Sequence, residues 1–161
     1  MQYTQLGSSG LTVSRLAFGA STFTSGDTSL PGFYKAGPET AATLVNQAID
    51  GGITYFDTAD VYANGQSEEL LGAALKQHRD RVVLSTKVGN FGAKHPEVPR
   101  WGLSRRHILW SIDQSLKRLG TDRVDCYIVH RVDPDVPLEE TLAALDEVVR
   151  AGKARSIGYS N

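Results

Sequence analysis

The sequence predicts an α/β protein: a β-hairpin followed by about five βα units of a parallel barrel. Three observations carry this. After residue 50, short apolar runs repeatedly end in a polar residue, then give way to a loop and to a stretch with helical period. Strands separated by single helices require right-handed crossovers, and so a parallel sheet covered on its faces. A doubly wound sheet would place G-x-G-x-x-G directly after its first strand, and Gly19-Ala20-Ser21-Thr22 does not supply it. Charged and catalytically competent residues stand instead at the C-terminal end of strand after strand, where a βα barrel builds its active site.

Each element has its own signal. Tyr3 to Leu6 and Leu11 to Val13 flank the turn Gly7-Ser8-Ser9-Gly10 as a hairpin, and Leu16 to Ala20 form the first core strand. Pro38 suits a helix start, Ala41, Leu44, Val45, Ala48 and Ile49 line one helical face, and Gly51 ends it. Ile53 to Phe56 are a buried strand. Ser67 is the expected N-cap of the second helix, with Glu68 and Glu69 complementing the helix dipole and Leu71, Ala74 and Leu75 facing inward. Val82 to Thr86 form the next strand. Ser104 caps a third helix with the stripe Leu109, Ile112, Leu116 and Leu119, stopped by Gly120, and the strand Cys126 to Val129 follows. Pro137, Glu139 and Glu140 open a fourth helix with Leu138, Leu142, Leu145 and Val149 inward and Gly152 at its end, before the last strand, Ala154 to Tyr159.

Composition narrows the function classes. The 161 residues, 40% apolar and 22% charged, suit one globular domain. With 17 basic against 18 acidic side chains, nothing draws the chain toward nucleic acid or an anionic membrane. The single cysteine, Cys126, cannot form an internal disulfide, and no apolar run is long enough to span a bilayer or serve as a secretory signal, so a cytoplasmic location is expected. None of His78, His95 and His107 shows metal-ligand spacing with Cys126 or with one another, and no metal is expected. His78, His95 and His107 are read as surface residues, and Cys126 as a small buried hydrophobe.

The chemistry lies at the strand ends. Asp57, Lys87 and His130 each end a predicted strand, and Tyr62 lies in the loop just after Asp57. A phenol is a poor acid near neutrality, its ordinary pKa being about 10. An adjacent ammonium stabilises the phenolate, and a carboxylate paired to that ammonium keeps it charged and aimed. Asp57, Lys87 and Tyr62 fit such a relay, while His130 can hydrogen-bond a carbonyl oxygen and stabilise the alkoxide that develops on reduction. A short-chain dehydrogenase also uses Tyr and Lys, but on one helix, and Tyr62 and Lys87 belong to different βα units.

The stretches Phe56-Asp57-Thr58-Ala59-Asp60-Val61-Tyr62, Ser85-Thr86-Lys87-Val88-Gly89, Val129-His130-Arg131 and Ile157-Gly158-Tyr159-Ser160-Asn161 resemble, in order, the aldo-keto reductase superfamily. The resemblance implies a (β/α)8 TIM barrel closed at its base by the hairpin of residues 1–15, with NADPH lying across the strand ends and an aldehyde or ketone reduced to an alcohol. It implies Tyr62 as general acid, Lys87 and Asp57 as the pair that tunes it, and His130 as the residue that orients the carbonyl. By the same resemblance Ser160 and Asn161 bind the nicotinamide carboxamide, and the turn containing Gly19, Ala20 and Ser21 lies near the nicotinamide ribose. Five core strands against the family's eight make residues 1–161 a single, incomplete barrel domain, completed by a C-terminal segment or by self-association. A non-catalytic NADP(H)-binding regulatory subunit and a self-associating half-barrel are the alternative functions.

Substrate contacts are weighed against blander roles. The long stretch Gly89 to Leu103, with Phe91, Trp101, Pro96 and Pro99, reads equally as a substrate wall or a surface loop. Phe23, Phe33 and Tyr34 stand at the same even odds. Arg131 contacts substrate or cofactor, or pairs at the surface with Asp133 and Asp135.

Overall fold

The computed structural model describes residues 1–26, 35–90 and 102–160. Tyr3–Gln5 (β1) and Thr12–Ser14 (β2) pair antiparallel as the expected hairpin. The parallel sheet follows in sequence order: Ala17–Gly19 (β3), Tyr55–Asp57 (β4), Val83–Val88 (β5), Val124–Val129 (β6) and Ala154–Tyr159 (β7). Helices Pro38–Asp50 (α1), Gln66–Leu75 (α2), Arg105–Leu119 (α3) and Leu138–Arg150 (α4) form the crossovers. Among the described residues no helix is long and apolar enough to cross a membrane.

Apolar periodicity accounts for the packing except on α4, where Leu138 and Leu142, expected inward, are exposed. Ala41, Val45 and Ala48 of α1, Leu71 and Leu75 of α2, Ile108, Ile112, Leu116 and Leu119 of α3, and Ala144, Leu145 and Val148 of α4 share one core with Phe56, Leu84, Val88, Tyr127 and Val129 of the sheet. Gly120 ends α3 in the left-handed region, at φ 64°, as its place after Leu119 predicts. Gly72 lets α2 and α3 approach closely: a Cβ there would stand 2.3 Å from the Leu119 carbonyl oxygen. The hairpin is tied to the start of β4, where the Tyr3 hydroxyl donates to Gly52 O at 3.1 Å and the Ser14 N–H donates to Thr54 Oγ1 at 2.9 Å. That is the end of the sheet opposite Asp57.

Several local expectations change. Ser67 does not cap α2. Gly65 precedes the helix, and the fully buried Ser67 hydroxyl donates to Ala20 O at 2.7 Å and bonds Thr58 Oγ1 at 2.8 Å. Glu68 lies in the first turn of α2 and is fully buried there, because a guanidinium from α3 is there to receive it. Ser104 stands at the N-cap of α3 without a side-chain capping bond. His107 is buried rather than superficial, at 3% exposure, bonded to Ser111 one turn on and stacked on Trp110. Cys126 lies inside β6 rather than at its start and is buried, and burial pushes its thiol up. Phe33, Tyr34, Phe91, His95, Pro96 and Pro99 lie outside the described residues.

Candidate active site

The strands present their C-terminal ends along one rim. Backbone register places Gly19 beside Asp57, Asp57 beside Ser85, and Lys87 beside Ile128. The chain leaving β4 then folds over β5: the Thr58 N–H donates to Ser85 O at 3.1 Å and the Asp60 N–H to Lys87 O at 3.2 Å. Lys87 is 7% exposed, and its ammonium donates to Asp57 Oδ2 and, at 2.8 Å, to Thr58 O. A buried ammonium is sustained only by such paired acceptors. Asp57 is held in turn by Ser85, whose hydroxyl donates to Oδ1 at 2.6 Å.

Tyr62 opens a tight turn, Tyr62–Gly65, whose middle residues are not helical. Lys87 Nζ lies 5.0 Å from the centroid of its ring, and the His130 ring meets it edge-on with centroids 5.7 Å apart. Cation and imidazole therefore flank one phenol. The His130 N–H donates to Val88 O at 2.8 Å, which fixes the backbone just past β6. Burial, then the Lys87 ammonium and the Arg131 guanidinium, lower the pKa of His130, with Asp57 opposing them. A neutral imidazole keeps one N–H donor and one acceptor. Its Nδ1 is buried with no hydrogen-bond partner among the described residues.

The Aldo/keto reductase family model matches residues 15–161. The chain belongs to this family. It is 40% identical over 179 residues to a versiconal hemiacetal acetate reductase of Aspergillus parasiticus, covering 100% of this chain and 51% of that protein. It is 40% identical over 163 residues to a probable voltage-gated potassium channel subunit beta of Arabidopsis thaliana, covering 99% of this chain and 46% of that protein. Among solved structures, the holo form of an aldo-keto reductase from Bacillus halodurans matches with a TM-score of 0.84 at 34% identity, over 99% of this chain and 50% of that one. The chain thus spans about half the length of the curated relatives it matches, and the sheet corresponds to part of their TIM barrel.

On this barrel segment, Gly19 and Ser21 are exposed and Ala20 is buried, its N–H donating to Asp57 O at 2.9 Å. Ser160 continues the rim past β7, with its N–H bonded to Val129 O at 2.9 Å. Asn161 and Trp101 lie outside the described residues. Phe23, read equally as a substrate contact or a loop aromatic, is 1% exposed and packs against Phe18 in the common core, which leaves its ring turned away from the rim. Arg131 is exposed at the rim. The Asp133 carboxylate expected to pair with it instead accepts the backbone N–H groups of Leu103 and Asp135.

The sequence reading missed Ser85 and Thr58, which hold the Asp57–Lys87 pair. Ser85 had a signal: two residues before Lys87 on a strand, it must share that residue's face. The Thr58 contribution is a carbonyl, which no side-chain pattern reveals.

Proposed function

We propose that the chain carries the carbonyl-reducing site of a cytoplasmic oxidoreductase that uses NADPH to convert aldehydes or ketones to alcohols. The observation that carries this reading is the paired, buried Lys87 ammonium against the Tyr62 ring, with His130 on the ring's edge. The rim fits a nicotinamide. Among the described residues, chain neighbours aside, no atom lies within 4 Å of where a Cβ on Gly19 would stand, so the backbone ledge beside Asp57 is open to a flat ring, and Ser21 and Ser160 belong to the same rim. When bound, NADPH supplies the hydride that the carbonyl carbon accepts.

The chain's own residues manage the charge that hydride transfer leaves on oxygen. Tyr62 donates its proton to that oxygen and completes the alcohol. The Lys87 ammonium stabilises the phenolate left behind, and Asp57 and Thr58 O keep the ammonium in place. His130, neutral, offers an N–H to the same oxygen and so orients the carbonyl before transfer. Residues 1–161 are read as one barrel domain whose hairpin, bound at the opposite end of the sheet, closes the base.

The test is NADPH oxidation by the full-length protein with a simple aldehyde, beside Tyr62→Phe. The variant is expected to lose roughly 10²–10⁴-fold in kcat with cofactor affinity unchanged. Undiminished kcat in Tyr62→Phe, or nucleotide binding without turnover in the wild-type protein, would sink the reading.

A further inference from the structure

A second charged cluster lies beneath the turn that carries Tyr62, and the mechanism above does not use it. Asp60, two residues before Tyr62, is 4% exposed, and its Oδ1 is buried with no hydrogen-bond partner among the described residues. The groups that face it come from four elements: Glu68 on α2, Arg118 on α3, Lys87 on β5 and the buried Tyr127 phenol on β6. Glu68, fully buried, accepts Arg118 Nε at 2.5 Å and the Thr86 hydroxyl at 2.6 Å. Two buried carboxyl groups therefore lie near one guanidinium, which pairs with Glu68.

The cluster reaches both ends of the turn. At its start, the Asp60 N–H is bonded to Lys87 O and the Tyr62 N–H to Ala59 O. At its end, the Arg118 side chain lies against Gly65, where a Cβ would stand 2.6 Å from Arg118 Cδ. Between them Ala63 and Asn64 both adopt the left-handed region, at φ 49° and 55°. Non-glycine residues hold that conformation only where their surroundings impose it.

We propose that Asp60 is a positioning residue for Tyr62: it lies buried beside the Glu68–Arg118 pair beneath the turn, its Oδ1 without a partner among the described residues, and the turn holds the phenol against Lys87 only while one of the two carboxyl groups is uncharged. The inference rests on the reading of Tyr62 as proton donor. Burial first, then Glu68, push Asp60 up to about 7, with Arg118, the Val61 N–H and Lys87 opposing them. Below that range Asp60 is uncharged beside the Glu68–Arg118 pair. Above it a second carboxylate repels Glu68 and competes for Arg118, which loosens the guanidinium from Gly65 and releases the turn.

The experiment is the pH profile of kcat for NADPH-dependent aldehyde reduction by the full-length protein. If activity follows the uncharged form of Asp60, wild-type kcat falls about tenfold between about pH 6 and about pH 8, with KM for the cofactor unchanged. Asp60→Asn keeps the size and removes the ionisation, so its kcat stays level across that interval. Glu68→Gln leaves one carboxyl group for the guanidinium and levels the profile as well, a second arm should Asp60→Asn fail to fold. A wild-type profile without the fall, or a folded variant that keeps it, overturns the inference. Tyr62→Phe, assayed alongside, separates the two failures: if it stays active, the reading of Tyr62 is wrong. If it is inactive while Asp60→Asn tracks the wild type, only the role of Asp60 is wrong.

Discussion

Replacing Asp60 by Asn should change how stability depends on pH, and the structure gives both sign and size. Burial and Glu68 disfavour the charge of Asp60 and push it up to about 7 in the folded protein from an ordinary value of 3.8. The folded state therefore holds the proton more tightly than the unfolded chain. Its contribution is fully present below 3.8, declines as pH rises, and is lost above about 7. At about 1.4 kcal/mol for each pH unit, the whole interval amounts to about 4 kcal/mol, an upper bound because the turn can relax or admit water once the charge forms. Asp60→Asn removes this titration. Its amide leaves new buried donors, a penalty of about 1–3 kcal/mol that does not vary with pH. Carboxylates outside this cluster contribute equally to both proteins and cancel in the difference. Urea unfolding at a series of pH values should therefore show the variant gaining on the wild type steadily from about pH 4 to about pH 7, then keeping a constant offset. Parallel stability curves would refute the burial of an ionisable Asp60 in this cluster.

Two further substitutions test the frame around the site. Arg118→Met strands Glu68, which is fully buried, and should destabilise by about 3–5 kcal/mol in urea, with much of that loss recovered when Glu68→Leu is added. Gly72→Ala forces a methyl group to within 2.3 Å of Leu119 O, and the separation of α2 from α3 should cost about 1–3 kcal/mol despite about 1 kcal/mol gained in helix propensity. A Gly72→Ala protein as stable as the wild type would mean that the two helices do not pack this closely.

The legible parts of the molecule are those governed by local period. Ala41, Val45 and Ala48 announce α1 because burial repeats with the helical turn, and Asp57 is visible as the polar residue that ends an apolar run. Lys87 was expected just past its strand, and it lies within β5 because pairing with β6 extends the strand to Val88. What the sequence conceals depends on partners distant along the chain. Glu68 reads as a helix-start acid, which is locally sound, and only Arg118, two elements away, turns it inward. His107 is hidden for a related reason. With Ser111 and Ser115 it forms a buried polar row at four-residue spacing on α3, and a search for apolar periodicity passes over such a row. Asp60 lies inside a matched motif, yet its unusual environment comes from α2 and α3.

Core packing and chemistry are joined by one alternation. On β5, Thr86 bonds Glu68 on the helix side while Leu84 and Val88 enter the core, and Ser85 and Lys87 face the other way to meet Asp57. On β6, Tyr127 points to the helix side, toward Ile108 O. A slip of one residue on β5 would turn Lys87 among the helices and present Thr86 to Asp57. Such a slip would also expel Leu84 and Val88 from the core. Each buries a full aliphatic side chain, worth about 1.5–3 kcal/mol, whereas the Asp57–Lys87 pair must offset the desolvation of both charges and contributes little net stability. The register that aims the ammonium at Tyr62 is therefore set by apolar residues whose side chains lie in the core rather than in the site.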